Sequence, residues 1–180
     1  MIEQFDASIL DFFQSIHTPL LDRIMIVFTT LGEFGAIWIV AGILLLFHKK
    51  YRMYGVMVLT ALLLGLIVGN GIMKNVIARP RPCWRMPDIS LLIAVPKDFS
   101  FPSGHTLAAC EAVTVLFFTR LRYAIPALMV TVIVIVSRMY LFVHYPTDII
   151  GGMLLGILIG LFTVWVYRKI GKDRLGHETI

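Results

Sequence analysis

Six side chains stand out as capable of chemistry in a chain that is otherwise largely apolar: Lys74, Arg81 and Arg138, two histidines, His105 and His144, and Asp148. They fall in three short stretches, KNVIARPRP, FPSGHT and SRMYLFVHYPTD. Three cations, two imidazoles and a carboxylate make up what a phosphoryl-transfer site needs when it works without a metal ion. The cations neutralise the oxygens, one imidazole attacks, and the other manages the leaving-group proton.

The spacing within each stretch sharpens this. Arg81 lies seven residues after Lys74, so on a helix the two cations share a face. Pro80 and Pro82 interrupt that helix and favour extended backbone. Arg79 falls off the shared face and reads as a solvated or headgroup-facing cation. In the second stretch, Pro102 and Ser103 suit a helix start, and Gly104 lets the backbone come close to a ligand. The first amides of a helix have no partner within it and favour an anion. His105 in that first turn is then placed as an acid beside an anion, although taken alone it also fits a cap. In the third stretch, Ser137 and His144 are seven apart, with Arg138 one residue off their face. The chain turns at Tyr145-Pro146, and Asp148 enters the first turn of the next helix within reach of His144. A carboxylate accepting Nδ1–H fixes the tautomer and leaves Nε2 to attack. An aspartate there also suits the helix N-terminus in its own right. No cluster of carboxylates, histidines and cysteines has metal-ligand spacing, and Cys83 and Cys110 need no role.

The elements that must position these groups are membrane helices. The chain has 180 residues, 58% hydrophobic and 15% charged, too little charge for a soluble domain of this size. Apolar runs predict an all-α bundle of about five transmembrane helices, near 34–48, 52–77, 104–120, 122–143 and 147–167. The first run is short; either it extends back through Gly32 to Leu20 or residues 20–31 form a half-embedded helix. Ser15 and Thr18 before Pro19 mark a helix start. At the N-terminus Glu3, Asp6 and Asp11 replace the basic region of a signal peptide. Ile2, Phe5, Ile9, Phe12, Phe13 and Ile16 recur at helical spacing there, which fits an amphipathic interfacial helix or one packed on the bundle. One unit over 1–180 is expected, with 1–31 interfacial or half-embedded, 34–168 the transmembrane core and 169–180 a cytoplasmic tail. Gly65 and Gly69, and Gly152, Gly156 and Gly160, have the four-residue spacing that lets membrane helices approach closely.

Loop charges give the orientation. Lys49, Lys50 and Arg52, then Arg120 and Arg122, then Arg168, Lys169, Lys172 and Arg174 share one side under five spans, and that side reads as cytoplasmic. All the chemical residues then gather at the outer interface. Arg79, Arg81, Arg85 and Lys97 put positive charge there against the rule, which calls for a local explanation, and phosphate binding would be one.

These three stretches resemble the signature of the type 2 phosphatidic-acid phosphatase superfamily, which also includes the vanadium haloperoxidases. Its parts are Lys, six residues, Arg-Pro; then Pro-Ser-Gly-His; then Ser-Arg, five residues, His, three residues, Asp. They are matched here by Lys74 with Arg81-Pro82, by Pro102 to His105, and by Ser137-Arg138, His144 and Asp148, all between residues 74 and 148. The resemblance implies His144 as nucleophile through a phosphohistidine, Asp148 orienting it, and His105 protonating the leaving oxygen and then activating water. Lys74, Arg81, Ser103, Gly104 and Arg138 would hold phosphate. It implies no cofactor or metal, a phosphorylated membrane lipid as substrate and no nucleic acid, in a multi-pass cell-membrane protein. A bell-shaped pH profile follows from one neutral and one protonated histidine. Small relatives resemble undecaprenyl-diphosphate and phosphatidylglycerophosphate phosphatases; undecaprenyl diphosphate is the leading candidate, with phosphatidylglycerophosphate, phosphatidic acid and lipid A as alternatives. Glu33 and Glu111 keep a lipid transporter or scramblase open, since carboxylates at membrane depth mark transport paths. Glu111, six residues beyond His105, lies about 9 Å deeper and off its face, which fits a buried carboxyl.

Overall fold

The computed structural model describes residues 2–118 and 123–177, with side chains to residue 170, and is all-helical among them. Arg120, Arg122, Lys172 and Arg174 of the orientation argument fall outside what is described, as residues or as side chains. The N-terminal helix α1 (Ile2–Ser15) is followed by α2 (Pro19–Leu31) and α3 (Ala36–Phe47). Thr18 caps α2, its Oγ1 accepting from the Leu21 amide, and Pro19 needs no partner for its nitrogen in the first turn. Between α2 and α3, Phe34 and Gly35 are left-handed (φ 50° and 71°), and this break bends the pair by 46°. The run from Leu20 therefore continues through Gly32 as two helices with a hinge.

Helix α4 (Arg52–Gly65) passes into a π-helical stretch, Leu66–Met73, and then α5 (Lys74–Ile77). Ala78 closes α5 in the left-handed region (φ 47°), and Arg81, which precedes Pro82, is extended (φ −74°, ψ 157°). A short α6 (Pro82–Arg85) leads into a long irregular loop. Helices α7 (Gly104–Phe118), α8 (Ala124–Tyr140) and α9 (Pro146–His177) complete the bundle. The stretches Arg52–Arg85 and Pro146–Ile170 are long and apolar enough to cross a bilayer, as is α2–α3 taken as one bent span; α7 and α8 are shorter apolar helices.

The spaced glycines work as close contacts within the bundle. A Cβ on Gly152 would stand 2.8 Å from the Ser103 carbonyl, and one on Gly156 2.7 Å from the Leu107 carbonyl. Helices α7 and α9 thus run side by side in the same direction, backbone against backbone. On α4 and its continuation, Gly65 faces Glu111 and Gly69 faces Leu107. Val58, Ala61, Ala109, Ala112, Val115 and Val164 fill the half of the bundle away from the chemical residues. At the other end, Leu10 of α1 packs with Cys83 and the 140–143 turn, while Ile2, Phe5 and Phe12 stay exposed. Helix α1 thus docks on the bundle with one face and leaves an apolar face outward.

Candidate active site

All eight residues singled out for catalysis or phosphate binding lie at this one end, which α1 flanks. Lys74 and Arg81 converge there, although the helical spacing that suggested it does not hold, since α5 ends between them. They meet through an aspartate: Lys74 Nζ pairs with Asp98 Oδ2, Arg81 Nη2 with Asp98 Oδ1 at 2.8 Å, and Arg81 Nε donates to the Asp98 carbonyl at 2.7 Å. Burial pushes the Asp98 carboxyl up, but the Lys74 ammonium and Arg81 guanidinium outweigh it and hold it down at about 2. Arg138 is buried and donates through Nη1 to Thr29 Oγ1.

His144 sits in the turn after α8. Leu141 departs from helical geometry and Phe142 is left-handed (φ 58°), so the His144 and Val143 amides fold back onto the Arg138 carbonyl. The seven-residue spacing to Ser137 therefore does not set its direction, and the Ser137 hydroxyl bonds its own helix at Val134 O. His144 Nε2 lies 3.0 Å from Arg81 Nη1. A guanidinium only donates, so Nε2 carries the lone pair and Nδ1 the proton. Burial first, then Arg81, Arg138 and Lys74, push the imidazole well below its ordinary pKa and keep it neutral.

The Nδ1 side is held by Asp148 and by a residue the sequence did not single out, Ser100. Asp148 Oδ2 is 3.5 Å from Nδ1 and Ser100 Oγ is 3.4 Å away, while the serine hydroxyl donates to the same Oδ2. The Tyr145 amide also donates to Oδ2 at 2.9 Å. Asp148 Oδ1 accepts from Arg79 Nη1 at 2.6 Å. Arg79 is therefore no solvated cation. It pairs with both Asp148 and Asp6 of α1, donates to Thr147 Oγ1, and lies over the Tyr145 ring at 4.0 Å. The left-handed Ala78 turns it inward, where a continuous helix would have sent it outward. Asp6 is itself buried and accepts from the Thr147 amide and hydroxyl.

His105 Nε2 bonds the Thr29 carbonyl at 3.2 Å, so Thr29 joins both Arg138 and His105. Gly104 faces Asn70, whose Oδ1 would be 2.8 Å from a Cβ there. Ser103 is fully buried; its hydroxyl accepts from Thr106 Oγ1 at 3.0 Å, and its amide donates to the Asp148 carbonyl. Its side chain caps α7, and the amides of Gly104 and His105 are the ones with no carbonyl a turn back.

Lys74, Arg81, Asp98, His105, Arg138 and His144 border a cavity of about 1360 Å³. Its other arm descends between α3 and α4 along Ile39, Leu59, Leu62, Leu63 and Leu66. Among the described residues, five buried polar side-chain atoms have no partner, and three line this cavity: Asn70 Oδ1, Glu111 Oε1 and Arg138 Nε. Such atoms are rare in folded proteins. Glu111 is buried against Gly65, as the sequence suggested. The missed residues had weak signals. Asp98 is a carboxylate four residues before Pro102 in a cation-rich loop, and Arg79 precedes a proline that had to end the helix.

Residues 50–172 match the family model described as PAP2 superfamily. The undecaprenyl-diphosphatase of Sulfolobus acidocaldarius is 32% identical over 139 residues, covering 76% of this chain and 67% of that protein. The phosphatidylglycerophosphatase B of Bacillus subtilis is 30% identical over 179 residues, covering 88% and 81%. The crystal structure of a transmembrane PAP2 type phosphatidylglycerolphosphate phosphatase from Bacillus subtilis superposes with a TM-score of 0.77 at 29% identity, over 94% of this chain and 87% of that one.

Proposed function

Because the chain belongs to the PAP2 superfamily, we propose that it hydrolyses a lipid phosphomonoester or diphosphate through a phosphohistidine, with no metal ion, at the extracytoplasmic face of a five-span membrane protein. The observation that carries this is the neutral His144, its lone-pair nitrogen turned to the cations at the mouth of a cavity whose far arm is apolar. Lys74, Arg81, Arg138 and the Gly104 and His105 amides hold the phosphoryl oxygens. His144 Nε2 forms the N–P bond as the P–O bond to the leaving group breaks, and His105 gives the leaving oxygen its proton. Water then attacks phosphorus, the N–P bond breaks, and His105 takes the water proton. His105 Nε2 is engaged with Thr29, which leaves Nδ1 for both transfers. The lipid tail follows the apolar arm, so the head reacts while the chain stays in the bilayer. Asp148, fixed by Arg79 and Ser100, holds the His144 tautomer.

Undecaprenyl diphosphate, released as the monophosphate, is the proposed substrate, on similarity to the Sulfolobus relative. One observation favours a second reading, a phosphatidylglycerophosphate-like glycerolipid: Asn70 Oδ1 and Glu111 Oε1 lie unpartnered along the cavity, and the free hydroxyl of the headgroup glycerol is a donor that a polyprenyl chain lacks. Phosphate release by the purified protein in detergent with EDTA, across undecaprenyl diphosphate, phosphatidylglycerophosphate, phosphatidic acid and lipid A, tests both. The best substrate decides between the lipids. Release that requires added divalent metal, or no release from any of them, sinks the mechanism.

A further inference from the structure

We propose that Asp98 is a charge filter: it occupies the Lys74–Arg81 pair as an internal stand-in for phosphate and yields it only to a ligand bearing two or more negative charges. This rests on the cavity being the phosphate site argued above. The two partners differ in freedom. Lys74 and Arg81 side chains are 8% and 3% exposed, whereas that of Asp98 is 54% exposed. The cations cannot leave, and without an anion they would be buried charges unpaired. The carboxylate can rotate into water at little cost. Its loop need not open for this: the Ser100 amide bonds the Arg79 carbonyl at 2.8 Å, and Trp84 Nε1 bonds the Pro96 carbonyl at 3.0 Å, on either side of Asp98.

The consequence concerns which phosphates enter. A phosphodiester, as in bulk bilayer phospholipids, carries one negative charge, and exchanging Asp98 for it gains no charge at the cradle. A phosphomonoester near neutral pH is mostly the dianion, by the ordinary second pKa of about 6, and a diphosphate carries at least two charges. Either adds charge facing Lys74, Arg81 and Arg138, and so displaces Asp98. The filter thus keeps the site clear of the lipids that surround it in excess.

The test compares wild type, Asp98→Asn, Asp98→Ser and Asp98→Glu as full-length protein in detergent, each checked by thermal unfolding. Inorganic phosphate and vanadate are titrated directly, and turnover of a phosphomonoester lipid is measured in micelles with rising phosphatidylglycerol, a phosphodiester. The Asn and Ser variants should bind phosphate and vanadate about tenfold more tightly, the order of one charge-assisted contact relieved. Phosphatidylglycerol should inhibit these two competitively, with wild type and Asp98→Glu resistant. Weaker phosphate binding by the Asn variant would instead make Asp98 an organiser of the cations and overturn the proposal. Strong phosphatidylglycerol inhibition of wild type overturns it even if neither neutral variant folds. If wild type binds phosphate but releases none from any lipid, the catalytic reading fails while the phosphate titrations still decide the filter.

Discussion

Two aspartates flank the linked pair Arg81 and His144, and they are built differently. Asp148 lies in the floor, fully buried, and is held by Arg79, Ser100, the Tyr145 amide and the His144 ring. Asp98 lies in the roof, half exposed on an irregular loop, and its side chain pairs with the two cations. Several partners around a buried carboxylate fix a geometry, because losing any one leaves a charge in a low-dielectric setting. An exposed carboxylate on buried cations can be exchanged. On the proposed mechanism the floor is then the permanent machinery, and the roof holds the part that substrate would replace.

The comparison breaks most severely at His144. If the floor exists to present its Nε2, His144→Ala should reduce phosphate release by about ten-thousand-fold, the scale seen when a covalent nucleophile is removed. Vanadate binding should persist, since the cations remain. A variant retaining more than a tenth of wild-type turnover would remove the basis for the mechanism. A smaller loss is expected one step back. Arg79→Ala leaves Asp148 without its guanidinium, and a decrease of about thirty-fold in kcat with little change in KM is expected, because Arg79 faces the back of the site. An equal rise in KM would place Arg79 on the substrate instead.

Further out, Asp6→Asn keeps an oxygen for Thr147 but removes the charge that pairs with Arg79. About a threefold decrease in kcat is expected, the order of one ion pair felt at second hand. Ion pairing of Asp6 to Arg79, which also pairs with Asp148, ties α1 to the carboxylate beside His144. Deleting the charge with no kinetic effect would reduce α1 to packing.

Much of this floor was legible in the residues alone, and the reasons differ from place to place. His144, Asp148, His105 and the three cations could be found because their chemistry is rare in an apolar chain and their spacing regular. The helices were found from apolar runs, and the glycine stripes read correctly as contacts. What escaped were consequences of backbone breaks. The left-handed Ala78 reverses Arg79, and the left-handed Phe142 frees His144 from the register of Ser137. Helical spacing cannot foresee either, since it assumes the helix continues. Asp98 and Ser100 escaped because a 26-residue stretch from Ala78 to Ser103 with little regular structure offers no periodicity to read. Ser103, by contrast, reads as a helix start from sequence, and its hydroxyl accepts from the Thr106 amide in the first turn of α7.

The smallest expected effect sharpens the roof. Held down at about 2 by Lys74 and Arg81, the Asp98 carboxylate stays ionised at every pH used in an assay. Its ion pairs contribute stability that is fully present above the ordinary aspartate pKa of about 4 and is lost only as the pH falls through about 2. The filter should therefore show no titration of its own. Between pH 5 and 8 the ratio of wild-type to Asp98→Asn affinity should stay constant for any anion whose own charge is fixed over that range. Inorganic phosphate changes charge near pH 6–7, so its ratio should rise toward alkaline pH in step with the dianion fraction. A flat ratio for phosphate would mean that Asp98 does not distinguish one charge from two, and the roof would be a simple counter-ion.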